Sequence, residues 1–201
     1  MADLDTAIVD GGGANIASLQ FALERLGATS KLTSDASEIR SARRVILPGV
    51  GAAKNAMDRL RERELDSVIP TLTQPVLGIC LGMQLLAETS AENDTPCLGV
   101  VRGTAGELTA TTTSPVPNMG WCELEQRSEH PLLHGIADGS FFYFVHSYAL
   151  PQTENTLATA VHGKPFTAVL ARDNFMGTQF HPERSAAAGA RVLANFLSYP
   201  Q

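Results

Sequence analysis

Long apolar runs are missing from this 201-residue chain. No stretch approaches the roughly 20 residues that cross a bilayer, so a soluble protein with no membrane partner is expected. Positive charge is also scarce: 15 Lys and Arg against 21 Asp and Glu give a net charge of −6. That leaves no basic footprint for nucleic acid. Cysteine is limited to Cys80, Cys97 and Cys122, too few and odd in number for a disulfide framework. Asp3 and Asp5 precede the first apolar run and no basic-then-apolar signal is present, so a reducing, cytoplasmic location is expected. His130, His134, His146 and His162 fall in no closed ligand spacing with the cysteines, and no metal is expected. Gly11-Gly12-Gly13 has neither the G-x-G-x-x-G spacing nor a Walker lysine, so it reads as a tight strand-to-helix turn rather than a phosphate loop.

What is present is a foldable core. Hydrophobic residues make up 44% of the chain, enough for one domain spanning residues 1–201. Strand and helix patterns alternate through the first half, as an α/β sheet with crossover helices requires. A buried strand is expected over Thr6 to Asp10, then a helix whose apolar face is Ile16, Leu19, Leu23 and Leu26, ending at Gly27. A second strand is expected at Val45 to Leu47, a helix from Ala52 to Glu64, and a third strand at Val76 to Ile79. From Val100 to Val169 the pattern turns to short strands broken by Thr, Pro and Gly, and Gly189 to Leu197 closes as a helix.

The third strand runs into Cys80, with Gly78 and Gly82 two residues on either side. A G-x-C-x-G turn between strand and helix is a nucleophile elbow carrying sulfur. The backbone reverses sharply there, and side chains at the flanking positions would collide. The following helix aims free N–H groups at the sulfur, which favours negative charge on it. About a hundred residues on, the chain reads Gly177-Thr178-Gln179-Phe180-His181-Pro182-Glu183. Pro182 biases His181 toward extended backbone, where residues i and i+2 project to one side. Glu183 then orients the imidazole, and Cys80, His181 and Glu183 supply nucleophile, base and orienter.

Gly78-Ile79-Cys80-Leu81-Gly82-Met83-Gln84-Leu85-Leu86 together with His181-Pro182-Glu183-Arg184-Ser185 resembles the class I glutamine amidotransferases. Asn15, Leu47-Pro48-Gly49-Val50-Gly51, Pro117-Asn118-Met119-Gly120-Trp121 and Tyr143-Phe144-Val145-His146-Ser147-Tyr148 narrow the resemblance to the glutaminase subunits of imidazole glycerol phosphate synthases. The resemblance implies a flavodoxin-like fold, with a mostly parallel central sheet and helices on both faces. It also implies L-glutamine as substrate, hydrolysed to glutamate and ammonia without a cofactor, and a cyclase partner, a (βα)₈ barrel, in a heterodimer for histidine biosynthesis. Subunits feeding pyridoxal phosphate or anthranilate synthesis, and an idle interaction protein of the same fold, stand as alternatives.

Roles carry over position by position. Leu81 supplies one oxyanion donor by elbow logic, and the resemblance makes the Gly49-Val50-Gly51 backbone the second. The two glycines leave the Val50 peptide free to flip between an N–H and a carbonyl, which suggests a switch. Gln84 resembles the residue that holds the amino acid end of the substrate, Glu92 the one that meets its ammonium, and Ser147 and Tyr148 the backbone pair that grips its carboxylate. Pro117, Asn118, Met119 and Trp121 resemble the face that meets the synthase partner. The chain departs from the family at Gly11, where tyrosine is usual, at Asn118, where histidine is, and at Cys122, where asparagine is.

Overall fold

The computed structural model describes residues 4–11 and 16–200. Gly12, Gly13 and Asn15, singled out above, lie outside the described residues. The strands are β1 (Thr6–Val9), β2 (Ser30–Thr33), β3 (Arg44–Gly49), β4 (Val76–Cys80), β5 (Thr89–Ser90), β6 (Thr95–Pro96), β7 (Thr104–Glu107), β8 (Asn118–Glu123), β9 (Glu125–Gln126), β10 (Phe141–His146), β11 (Tyr148–Ala149), β12 (Thr156–His162), β13 (Lys164–Arg172) and β14 (Phe175–Thr178). The helices are α1 (Ile16–Arg25), α2 (Ala36–Ser41), α3 (Ala53–Glu62), α4 (Leu65–Val68), α5 (Leu81–Leu85) and α6 (Ala186–Leu197).

Eight strands form the main sheet in the order β2-β1-β3-β4-β14-β13-β12-β9. The run from β2 to β14 is parallel, and β13, β12 and β9 extend it antiparallel. Period-two alternation divides each buried strand between two cores. Ala7, Val9, Val45, Leu47 and Val76 join one core with Ile39 of α2, Met57 and Leu60 of α3, and Leu65 and Val68 of α4. Ile8, Ile46, Leu77 and Ile79 join the other with Leu19 and Leu23 of α1 and Val192, Leu193 and Phe196 of α6. This is the α/β sheet covered on both faces that the resemblance implied. A four-stranded sheet, β11-β7-β5-β6, and a two-stranded one, β10-β8, complete the molecule.

Some boundaries differ from those expected. The helix anticipated from Ala52 to Glu64 runs from Ala53 to Glu62, and after Glu64 turns left-handed at φ 56° α4 follows as a separate turn. Leu26 lies past the end of α1 and is exposed; Ala22 takes its place on the buried face. Strand β2 and helix α2, short elements, were not anticipated.

Candidate active site

Parallel strands β3, β4 and β14 bring three motifs to one end of the sheet, the end where ligands bind in open α/β folds. Cys80 ends β4 and caps α5 at φ 55° and ψ −111°, a positive φ that a non-glycine residue adopts only under constraint. The constraint is close packing of α5 on the strands. A Cβ on Gly78 would lie 2.8 Å from the Gly82 carbonyl oxygen, one on Gly82 would collide with the Leu47 carbonyl, and one on Gly49 would lie 2.8 Å from the Gly82 nitrogen. The elbow therefore has the strained, glycine-flanked form its sequence implied. Cys80 is buried, and its thiol donates to the Val145 carbonyl at 3.5 Å.

His181 follows β14 in extended conformation, φ −94° and ψ 99°. Beyond it the chain does not stay extended. Pro182–Arg184 form a 3₁₀ turn, and Glu183 reaches back from its first turn to accept a 2.9 Å hydrogen bond from His181 Nδ1. The pairing expected from an i, i+2 strand is thus made by a turn. Glu183 and His181 side chains are only 5% and 13% exposed. Burial works against charge on His181, but hydrogen bonding and charge from Cys80 and Glu183 overcome it and raise its pKa from 6.5 to about 10. The segment is anchored by Phe180, fully buried and stacked on Phe142 at 4.1 Å, and by the Ser185 hydroxyl, which donates to the His181 carbonyl at 2.7 Å.

A cavity of about 280 Å³ opens beside this pair, lined by Cys80, His181, Val50, Gly51, Leu81, Gln84, Glu92, Pro117, His146, Ser147 and Tyr148 among others. Most sequence-expected site residues therefore meet at one place, although they come from widely separated segments of the chain. The volume suits a small ligand, at the lower end of the roughly 300–1,000 Å³ typical of ligand sites. Gly49 lies behind this wall at the end of β3, and Gly51 adopts the left-handed φ of 84° that only glycine takes without cost. Gln84 is buried, with its amide nitrogen 2.7 Å from the Tyr148 carbonyl and 3.0 Å from Gln179 Oε1. Glu92 has a structural task besides facing the cavity. Its Oε2 accepts from the Ala53 N–H at 2.6 Å, which caps α3 where Ala52, the N-cap residue, offers no side-chain bond.

Of the four expected interface residues, Met119 and Trp121 are 65% and 51% exposed. Asn118, one residue earlier on β8, is turned inward and is 3% exposed. Its amide donates to His146 Nε2 at 3.0 Å, while His146 Nδ1–H donates to the Tyr148 carbonyl at 2.9 Å. Burial pushes His146 down to about 4, which agrees with a neutral ring fixed as that tautomer. Pro117 lines both the cavity and a larger groove, about 800 Å³, whose wall includes Met119 and Trp121. Phe141 and Val161, 55% and 58% exposed, add to the apolar exposure and were not anticipated. Gln179 was also missed; it stands two residues before His181 at the end of a strand, the spacing that puts side chains on one side. Among the described residues no group of three or more His, Cys, Asp or Glu could hold a metal, and no helix is long and apolar enough to cross a membrane.

A cysteine elbow, a His–Glu pair and a small cavity on this sheet agree with the comparison to known families, in which Glutamine amidotransferase class-I matches residues 7–199. The chain belongs to the class I glutamine amidotransferases. Within that class it is similar to the imidazole glycerol phosphate synthase subunit HisH of Xanthomonas euvesicatoria, 49% identical over 198 residues covering 98% of this chain and 99% of that one. It is likewise similar to the subunit of the same name from Shewanella loihica, 46% identical over 207 residues covering 98% and 92%. A solved glutamine amidotransferase structure shares the fold, with a TM-score of 0.73 at 18% identity over 96% of each chain.

Proposed function

We propose that this chain is the glutaminase subunit of an imidazole glycerol phosphate synthase, releasing ammonia from L-glutamine for a cyclase subunit in histidine biosynthesis. The observation that carries this reading is the convergence of Cys80, His181, Gln84, Glu92, Ser147 and Tyr148 on one amino-acid-sized cavity. The similarity to HisH subunits over nearly the whole chain supports the choice within the class.

In this scheme His181 takes the Cys80 thiol proton on Nε2, and the sulfur attacks the side-chain amide carbon of glutamine. The carbonyl oxygen becomes an oxyanion, met by the Leu81 N–H and by an N–H of the Gly49-Val50-Gly51 backbone. His181, held protonated by its neighbours, gives its Nε2 proton to the departing nitrogen, and ammonia leaves a γ-glutamyl thioester on Cys80. His181 then takes a proton from water, which attacks the thioester. Glutamate departs and the sulfur regains its starting state. Glu183 holds Nδ1 throughout, so that Nε2 is always the nitrogen facing the chemistry. The Glu92 carboxylate and the Gln84 amide oxygen receive the substrate ammonium, and the Ser147 and Tyr148 backbone receives its carboxylate.

Met119 and Trp121, with Pro117 between groove and cavity, form the docking face for the cyclase, a (βα)₈ barrel, in a heterodimer. Asn118 supports that face from beneath. Across the β8–β10 ladder Trp121 packs edge-on against Tyr143 at 5.9 Å, and the Tyr143 carbonyl accepts from the His181 N–H at 3.0 Å. A ring contact and a hydrogen bond thus link the docking face to the base. The test is glutamate release from L-glutamine by the purified chain mixed with the cyclase subunit of a HisH-type synthase and that subunit's ligand. Turnover abolished by Cys80→Ala is expected; turnover that survives that change, or none in the wild-type mixture, overturns the proposal.

A further inference from the structure

Gln179 is fully buried, and its side chain touches both the nucleophile and a wall of the cavity. Oε1 accepts from Gln84 Nε2 at 3.0 Å, and Nε2 faces the Cys80 sulfur at 3.8 Å. The direction of this chain of amides is dictated from one end. The Tyr148 carbonyl can only accept, so Gln84 must turn its NH₂ toward it, at 2.7 Å. The second proton of that NH₂ reaches Gln179, so Gln179 must present its oxygen there. Its own NH₂ is then left for the sulfur. The same ordering spends both donors of Gln84, so its carbonyl oxygen is the group left to face a ligand.

We propose that Gln179 is a positioning residue for glutamine hydrolysis, its carboxamide donating to the Cys80 sulfur while holding the Gln84 carbonyl turned toward the substrate ammonium. This rests on the reading of Cys80 as nucleophile. At 3.8 Å the contact to a neutral thiol is weak, and it strengthens as negative charge gathers on sulfur. It therefore stabilises the attacking form more than the resting one, which is what acceleration requires. Other charged and titratable groups around the sulfur are His181, backed by Glu183, and Glu92, His146 and Tyr148 in the cavity wall. Of these only Tyr148 also holds Gln84, through its backbone carbonyl, and none joins Gln84 to the sulfur as Gln179 does.

Two near-isosteric variants separate the two tasks. Gln179→Met removes both contacts. Gln179→Glu keeps an oxygen for Gln84 and removes the amide donor beside the sulfur. The primary readout is the rate at which iodoacetamide labels Cys80 at pH 8, followed on the peptide that contains it, so that Cys97 and Cys122 do not contribute. A fall of about tenfold is expected in both variants, the scale of losing a hydrogen bond to a charged group. In glutamine turnover Gln179→Glu should lower kcat with KM within about twofold, whereas Gln179→Met should lower kcat and raise KM, because only the second removes one of the two bonds that hold the Gln84 amide. Labelling within twofold of wild type in Gln179→Met overturns the proposal, and if that variant does not fold, Gln179→Glu decides by the same criterion. A wild-type chain without Cys80-dependent turnover in the presence of the cyclase subunit and its ligand would instead sink the glutaminase reading, and the labelling comparison would still stand on its own.

Discussion

Replacing Glu183 by Gln removes one charge from a buried hydrogen bond and changes almost no volume. The bond to His181 Nδ1 is 2.9 Å long and the carboxylate is 5% exposed, so solvent cannot take over its role. A hydrogen bond to a charged group contributes about 1.5–3 kcal/mol. At 1.36 kcal/mol per tenfold that becomes a loss of roughly 10- to 150-fold in kcat/KM. A larger loss follows if the new amide turns its NH₂ toward Nδ1. The imidazole then carries its proton on Nε2 and cannot act as base, a tautomer error that costs up to about 10⁴ in related triads. Among the described residues Glu183 Oε2 accepts no hydrogen bond, so nothing there opposes the turn. The assay is steady-state glutamate release in the presence of the cyclase subunit and its ligand. Turnover should fall within these limits while KM stays within about threefold. Unchanged turnover with a large rise in KM would make Glu183 a substrate-binding residue and refute the orienter role.

Cys80→Ala should eliminate glutamine-dependent synthesis by the reconstituted pair and leave ammonia-dependent synthesis intact, at a stability cost of order 1 kcal/mol; residual glutaminase activity near wild type would refute the nucleophile. The isolated chain should be nearly inactive and gain orders of magnitude on addition of the partner with its ligand, and Val50→Pro, which deletes a candidate oxyanion N–H, should reduce the stimulated rate by about 10²–10³. Equal activity with and without partner would remove the case for a switch. Trp121→Ala should weaken association measured by titration calorimetry by about 2 kcal/mol without lowering the thermal midpoint, the behaviour of an exposed interface anchor rather than a core residue. For pH, the raised pKa of His181, from 6.5 to about 10, means its contribution to stability is complete below pH 6.5 and is lost as pH rises toward 10. His146, lowered from 6.5 to about 4, acts oppositely, and stability should fall as pH drops through that window. Thermal midpoints of His181→Asn and His146→Gln should be flatter than wild type on the alkaline and acid sides respectively.

Much of this site could be read before any coordinates because its chemistry is carried by backbone signals. Gly78 and Gly82 announce the turn at Cys80, and Pro182 announces the break after His181. The short β2, half exposed, and the six-residue α2 lack a sustained period, so no pattern marks them. Glu92 capping Ala53 joins residues 39 apart in sequence, and neither residue type at its own position points to the other. Leu26 carried the right periodicity, but the chain leaves the helix at Arg25, one residue before the side chain could be buried. Gln84 and Gln179 are 95 positions apart, and their meeting depends on β4 and β14 being sheet neighbours. Pairing order is a property of the whole sheet, and local sequence does not encode it.

The contact between Gly49 and Gly82 bears on how this site could change over time. Where side chains separate two elements, the gap can be retuned by one methylene at a time. Here the strand leading into one proposed oxyanion donor and the turn bearing the sulfur meet main chain to main chain, with no room for a single carbon at Gly49, Gly78 or Gly82. The spacing between the Cys80 sulfur and the proposed oxyanion donors is thus a ruler cut into the backbone. Mutation can break it but cannot lengthen it gradually, so diversification is left to the cavity rim and the exposed β8 face, where residues such as Met119 and Trp121 can be exchanged without touching that ruler.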